Sequence, residues 1–224
     1  MAFISSLRPH PLFLPQKPTT LFQSPAQKPS TLVPFSSTAF NVNLTHQIPP
    51  NFTSKDLLLV LRRQKDANSA LELFTWASQR SDFTPNSSVF EEILQQLGKA
   101  GAFNQMKNVL QEMKLSQCKI DNGIFQIFIE SFVRFQLFDK AVDVVLSLMQ
   151  EFGVKPDTHM FNFLLNILVE ESKIKLVESV YSSMNDRGIE PDVSTFNILI
   201  KALCKAHKLK PAVAMMEEMK SYGL

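Results

Sequence analysis

Apolar residues recur along this chain with two periods, one inside the other. Phe90, Phe125, Phe161 and Phe196 each open a set at +0, +3, +4 and +7. The sets are Phe90/Ile93/Leu94/Leu97, Phe125/Phe128/Ile129/Phe132, Phe161/Leu164/Leu165/Leu168 and Phe196/Leu199/Ile200/Leu203. A stripe with that spacing lies along one face of an α-helix. Sixteen residues after each Phe a second set opens in the same way: Met106/Val109/Leu110/Met113, Ala141/Val144/Val145/Leu148, Val177/Val180/Tyr181/Met184 and Ala212/Met215/Met216/Met219. Each unit is therefore predicted to be a helical hairpin, and the intervals from Phe to Phe are 35, 36 and 35 residues. A hairpin of this size cannot cover both of its own apolar stripes, so successive hairpins must stack. The pattern predicts an all-α fold, an α-solenoid of stacked helical hairpins.

The residues between the stripes support the same division. Gly153, Gly188 and Gly223 follow the second stripes at intervals of 35 residues, where a left-handed residue ends a helix. Pro156-Asp157 and Pro191-Asp192 come next, with Pro85-Asn86 as an earlier counterpart. Proline stops the old helix, and a carboxylate suits the N-terminus of the new one. Pro211 falls at the start of a second helix, where its missing N–H costs nothing. The extra residue of the 36-residue unit is expected after Leu148 and before Phe161, a stretch that includes the loop between units, where insertions are tolerated.

Pro191-Asp192-Val193-Ser194-Thr195-Phe196-Asn197-Ile198-Leu199-Ile200-Lys201-Ala202-Leu203-Cys204-Lys205-Ala206 closely resembles the start of a pentatricopeptide repeat. Met184, Gly188, Pro191 and Asp192 resemble the end of one. The tetratricopeptide, a competing helical repeat, has a 34-residue period and a different signature. The resemblance runs over about residues 52–224 and is weakest at its start, where Ala70-Leu71-Glu72-Leu73-Phe74 resembles a second helix behind a shortened first one. The expected organisation is a disordered, transit-peptide-like segment (1–51), a degenerate helical repeat (52–86), repeats at 87–121, 122–157 and 158–192, and a truncated repeat (193–224).

Composition sets the N-terminal segment apart. Of the 13 prolines, 9 lie in residues 1–55, with 13 Ser or Thr and no Asp or Glu. Such a stretch has no apolar periodicity to offset the entropy of ordering, so disorder is expected. Hydroxyl-rich, acid-free N-termini have the composition of organellar transit peptides. Arg8 is the one Arg before Arg62, which favours a chloroplast over a mitochondrion, the alternative. Pro9, Pro11 and Pro15 interrupt any secretory apolar core. Apolar runs such as Leu57–Leu61 fall far short of the roughly 20 residues of a membrane span.

Charge excludes a generally basic nucleic-acid surface. The chain carries a formal +2, but its first 55 residues hold four positive charges (Arg8, Lys17, Lys28, Lys55) and no negative ones. The remainder has 19 basic and 21 acidic residues, a net of −2. RNA affinity would then require a local basic line. Lys99, Arg134 and Lys205 stand nine residues after their Phe, with Glu170 at the equivalent place in the third unit. The resemblance assigns phosphate binding to Lys99, Arg134 and Lys205; cations near a helix C-terminus also suit the helix dipole.

By the same resemblance, base reading falls to the residue after each Phe and the residue closing each unit. These are Glu91 with Asp121, Gln126 with Asp157, Asn162 with Asp192, and Asn197 with no closing partner. Helix periodicity sets the post-Phe residue beside the apolar stripe. Ser88, His159 and Ser194, with Gly123, would help sandwich the base. Asn with Asp resembles the combination associated with uridine. Glu91/Asp121 and Gln126/Asp157 depart from the usual pairs, and helix capping is the expected role there.

Enzymatic signals are weak. Cys118 and Cys204 are 86 residues apart and make no disulfide framework. Cys204 is expected to be a small buried residue. Cys204 and His207 could supply half a zinc site, but no second pair exists. No phosphate loop, nucleophile elbow or carboxylate pair is present. No enzyme activity, metal or cofactor is expected. Trp76 and Met215, Met216 and Met219 have helical spacing that suits core packing. The last unit lacks the polar outer face of a terminal repeat, as in an N-terminal portion of a longer array, or in a short gene product.

The resemblance implies an organellar, single-stranded RNA-binding protein acting in transcript processing, stability, splicing or translation. Its partner would be RNA, with no DNA and no membrane, and with room for other RNA-processing proteins. The alternative is a protein-binding helical-repeat scaffold without an RNA role.

Overall fold

The computed structural model describes residues 48–49 and 51–224. The expected disorder and targeting role of residues 1–51 fall almost entirely outside the described residues. All regular elements among the described residues are helical, and they divide into two compact units, with the boundary in the chain between Ile93 and Leu94.

The first unit contains α1 (Ser54–Arg63), α2 (Ala67–Ser78) and the start of α3 (Ser87–Lys99). Thr53 starts α1 with a capping box: its N–H donates to the Asp56 carboxylate at 2.8 Å and its hydroxyl accepts the Asp56 N–H. Asp66 caps α2 by accepting the Ser69 N–H at 3.0 Å. α1 has 10 residues, against 13 in α3. Leu57, Leu61, Leu73, Phe74, Phe90 and Ile93 are fully buried. Trp76 is half-buried: its ring stacks on Phe52 at 5.6 Å, and the Arg80 guanidinium lies over both rings.

The second unit continues α3 from Leu94. It adds α4 (Phe103–Leu115), α5 (Asn122–Arg134) and α6 (Phe138–Asp143). From α6 the chain passes through a π-helical turn (Val144–Leu148) into α7 (Met149–Glu151). Then come α8 (Thr158–Glu170), α9 (Ile174–Asp186), α10 (Val193–Lys205) and α11 (Leu209–Ser221). Phe125, Phe161 and Phe196 are all fully buried. Asp121, Asp157 and Asp192 cap α5, α8 and α10 through backbone N–H groups at 3.0, 2.8 and 2.8 Å.

From α3 onward, each first helix ends with the same backbone device, whereas α1 ends at Gln64 in extended backbone. Gly101, Gln136, Ser172 and His207 have φ of 71°, 58°, 56° and 56°. The next residue's N–H returns to the carbonyl five residues earlier: Ala102 to Leu97, Leu137 to Phe132, Lys173 to Leu168 and Lys208 to Leu203, at 2.8–2.9 Å. This is the Schellman ending of a helix. His207 is thus a turn residue. Gly153, Gly188 and Gly223 take positive φ as expected, with Gln117 at the equivalent place in the earlier unit.

The 36th residue lies elsewhere than expected. The segments from Gln117 to Asp121, Gly153 to Asp157 and Gly188 to Asp192 have equal lengths, so the loop holds no insertion. The extra residue is inside the second helix, where the Met149 N–H donates to the Val144 carbonyl, an i→i+5 bond that adds one residue to a turn. Below that turn the register moves by one. Met149 is fully buried and Leu148 only half-buried, contrary to the expected stripe. Met149 also accepts the Val154 N–H, as Met113 accepts from Cys118 and Met184 from Ile189. Two adjacent apolar residues made the shift invisible to a pattern of spacings.

Gly98 has a packing role rather than a conformational one. A Cβ there would lie 2.0 Å from Ser131 Oγ and 2.9 Å from Ser131 Cβ, so α3 and α5 approach through a missing side chain. Helix propensity alone favours Gly98→Ala by about 1 kcal/mol. The opposite sign is expected here, a loss of about 1–3 kcal/mol from overpacking. Phe161→Ala should cost about 3–5 kcal/mol as a buried aromatic deletion. Urea unfolding followed by circular dichroism measures both, and a Gly98→Ala protein more stable than the parent would refute the close approach. Deleting the exposed Ser147 should restore a regular helix with Met149 in register, at less than about 1 kcal/mol, the scale of a surface change. A collapse of the unfolding transition in that deletion would refute the account of the π turn.

Candidate nucleic-acid interface

The residues after the buried Phe side chains lie about 100° round their helices from the stripe, by the 3.6-residue turn. Their environments differ. Glu91 and Gln126 are half-buried, Asn197 is exposed, and Asn162 is only 9% exposed. A buried amide needs partners, and the following hairpin supplies them. Asn162 Nδ2 donates to Asp192 Oδ1 at 2.9 Å, and the Thr195 hydroxyl lies 2.7 Å from Asn162 Oδ1. Thr195, fully buried, also closes the cap of α10. Its N–H donates to Asp192 Oδ1 at 2.8 Å, and its hydroxyl accepts the Asp192 N–H at 3.1 Å. The hydroxyl also lies 3.0 Å from Asp192 Oδ1. Burial pushes the Asp192 carboxyl up, but these donors outweigh it and hold it below its ordinary value. A depressed carboxylate contributes stability above its unfolded value and loses that contribution as pH falls through the folded one. The network is therefore complete at neutral pH.

The other expected pairs are arranged differently. No hydrogen bond joins Gln126 to Asp157 among the described residues; Asp157 instead accepts from Asn122 Nδ2 at 3.0 Å and from the Met160 N–H. Glu91 belongs to the first unit, and Asp121 caps α5 in the second. Ser88, His159 and Ser194 are exposed in the first turns of α3, α8 and α10, and Gly123 stands in the first turn of α5. Within the second unit the structure unites one of the two Phe-following pairs, Asn162 with Asp192, and adds Thr195. Thr195 was absent from the sequence-based site. Its signal was the hydroxyl three residues after Asp192, where the other units have Val89, Ile124 and Met160.

Lys99, Arg134 and Lys205 end α3, α5 and α10, and Glu170 ends α8. Lys99 and Arg134 are exposed and make no ion pair among the described residues. Lys205 is engaged: its ammonium donates to the Val169 carbonyl at 3.0 Å and to Glu170 Oε2 at 3.1 Å. Lys201 binds the same carboxylate. Hydrogen bonds from Lys201 and then Lys205 hold Glu170 below the ordinary glutamate value.

Cys204 is exposed rather than buried as expected. It lies about 80° round α10 from Phe196, toward the exposed Asn197 and away from the stripe. No group of three metal-ligating side chains occurs among the described residues. No helix there is long and apolar enough to cross a membrane.

A PPR repeat family model matches residues 156–205, and a PPR repeat model matches residues 194–224. A chloroplastic pentatricopeptide repeat-containing protein of Arabidopsis thaliana is 44% identical over 180 residues, 79% of this chain and 23% of that protein. The chain belongs to the pentatricopeptide repeat family. A mitochondrial pentatricopeptide repeat-containing protein of Arabidopsis thaliana is 26% identical over 55% of this chain and 33% of its own length. The chain thus spans less than half the length of these relatives. Among solved structures, the maize pentatricopeptide repeat protein PPR10 aligns over 76% of this chain and 24% of its own, with a TM-score of 0.57 and 18% identity. The PPR domain of Arabidopsis thaliana protein-only RNase P 1, in complex with tRNA, aligns over 76% of this chain and 88% of its own, with a TM-score of 0.50 and 14% identity. At these identities the likeness is one of fold.

Pentatricopeptide stacking accounts for the burial of Asn162, and its cost can be measured. Asn162→Ala removes the amide's bonds to Asp192 and Thr195 and leaves space at a buried junction, and should destabilise by about 1–3 kcal/mol. Asn197→Ala, at the equivalent exposed place, should change stability by no more than about 0.5 kcal/mol. Equal effects of the two in urea unfolding would contradict the network.

Proposed function

We propose that this chain is part of an organellar protein that binds single-stranded RNA along its first helices. It would act in transcript processing, stability, splicing or translation, by occupancy and without catalysis. The observation that carries the reading is the Asn162–Asp192 hydrogen bond where two repeats join. It holds together the two side chains that the family pairs for one base, in the combination associated with uridine. Asn162 reads the base edge and Asp192 holds it. His159 and Ser194 flank that base. Lys99 and Arg134, exposed at the ends of their helices, contact phosphates. Ser88, Glu91, Gln126, Asp121 and Asp157 belong to repeats that contribute capping rather than selectivity, and Asn197 reads a base only with a closing partner. Repeat boundaries at 87–121, 122–157, 158–192 and 193–224 follow from the same reading, with 52–86 as a degenerate repeat.

One observation favours a protein-binding scaffold instead. Glu170 neutralises Lys201 and Lys205, in a body where acidic residues already outnumber basic ones. Binding to a pool of randomised single-stranded RNA discriminates the readings. The parent should enrich sequences with a preferred uridine, and Asn162→Thr should shift that position towards guanosine. Glu170→Gln should remove the carboxylate that faces both lysines and steepen the salt dependence of binding by about one to two ion equivalents. A parent chain that enriches nothing would support the scaffold.

Localisation follows the chloroplastic relative and the acid-free leader, with the mitochondrion as the alternative. A fluorescent reporter fused behind residues 1–55 should enter plastids. A reporter confined to the cytosol or to mitochondria would end the plastid assignment.

A further inference from the structure

Asn162 offers a base two N–H groups and two carbonyl lone pairs, and its amide can present them in either order by flipping. Two of these groups are already committed. Asp192 Oδ1 takes one N–H at 2.9 Å, and the Thr195 hydroxyl meets the carbonyl at 2.7 Å. Flipping the amide would bring its carbonyl against the Asp192 carboxylate and take the nearer acceptor from the Thr195 hydroxyl, leaving it Asp192 Oδ1 at 3.0 Å. The order of donor and acceptor left for a ligand is therefore set from both sides.

We infer that Thr195 is a positioning residue that locks the Asn162 amide and so makes this site discriminate uridine from cytidine. The inference rests on the RNA-binding reading above. The chemistry of the two bases explains why amide orientation decides. Uracil presents an N3–H donor beside a carbonyl acceptor. Cytosine presents an N3 acceptor beside an N4–H donor. An amide held one way pairs with the first order, and the flipped amide pairs with the second. An amide free to flip accepts both pyrimidines. Asp192 alone grips the nitrogen; Thr195 adds the grip on the oxygen. Thr195 is itself fixed: it is fully buried, its hydroxyl accepts the Asp192 N–H at 3.1 Å, and its own N–H donates to Asp192 at 2.8 Å.

Comparison within the chain supports the assignment. At the place of Thr195 the other repeats have Val89, Ile124 and Met160, none with a hydroxyl. At the Gln126/Asp157 junction, where Met160 stands, no hydrogen bond links the two side chains among the described residues. Selectivity between pyrimidines is therefore expected at the Asn162 site and absent at Gln126.

The test uses the 224-residue chain and two fluorescein-labelled single-stranded RNAs, taken from selection on a randomised pool and differing only by uridine or cytidine at the selected position. Thr195→Val should lower the uridine preference by about tenfold, within the range of one bidentate contact. Thr195→Ser, which keeps the hydroxyl, should preserve the parent's preference to within about twofold. Unchanged preference in Thr195→Val, or its loss in Thr195→Ser, overturns the inference while leaving RNA binding intact. A parent chain that selects no RNA overturns the functional reading, and this inference with it. An RNA-free measurement stands beside these in case Thr195→Val fails to fold. The side-chain amide protons of Asn162 in the parent should exchange with solvent at least tenfold more slowly than those of Asn197. Equal exchange at the two residues overturns the lock.

Discussion

A helical hairpin of about 35 residues carries two apolar stripes and can cover only part of them itself, so each hairpin is completed by its neighbour. Phe90, Phe125, Phe161 and Phe196, buried in α3, α5, α8 and α10, are the fixed points of the packing. Departures from regular structure in the second unit preserve it. The π turn at Val144–Leu148 absorbs one residue and returns Met149 to the place held by Met113 and Met184. Gly98 omits a side chain so that Ser131 can approach. Both features would read as local defects if each helix were considered alone.

Polar groups at the junctions answer to the same constraint. Stacking buries whatever lies beside the stripe, and a buried amide without partners would be costly. At Asn162 the next hairpin brings Asp192 and Thr195 to it, and a cap that would otherwise serve only α10 becomes a tie between repeats. At Gln126 the apolar Met160 replaces the hydroxyl, and Asp157 turns to Asn122 instead. One junction is therefore fitted to hold a side chain in a single orientation, and its neighbour is not.

Charges also serve the stack. Lys107 with Glu151, Lys208 with Glu178, and Lys201 and Lys205 with Glu170 all join neighbouring hairpins, and Arg187 donates to the Leu146 carbonyl at 2.6 Å beside the π turn. These groups are at least partly exposed, so each pair contributes little to stability. Their larger effect is on the field: a lysine that faces a carboxylate is not available to a phosphate. Lys99 and Arg134 are exposed and make no such pair among the described residues.

The hairpins, their period, the buried Phe stripes, the Asp caps of α5, α8 and α10 and the left-handed endings at Gly153 and Gly188 were legible in the sequence. All of them depend on residues within a few positions of one another, through helix periodicity, capping bonds and backbone φ. The resemblance carried by Pro191–Ala206 named the pair Asn162 and Asp192 but not their bond. Tertiary structure decided the rest: the π turn in place of a loop insertion, the burial of Asn162, the part of Thr195, the exposure of Cys204 and the capture of Lys205 by Glu170. The ties at Asn162 and Lys205 join side chains about 30–35 residues apart. No local pattern encodes them, because partnership across a junction depends on which faces the stacked hairpins bring together.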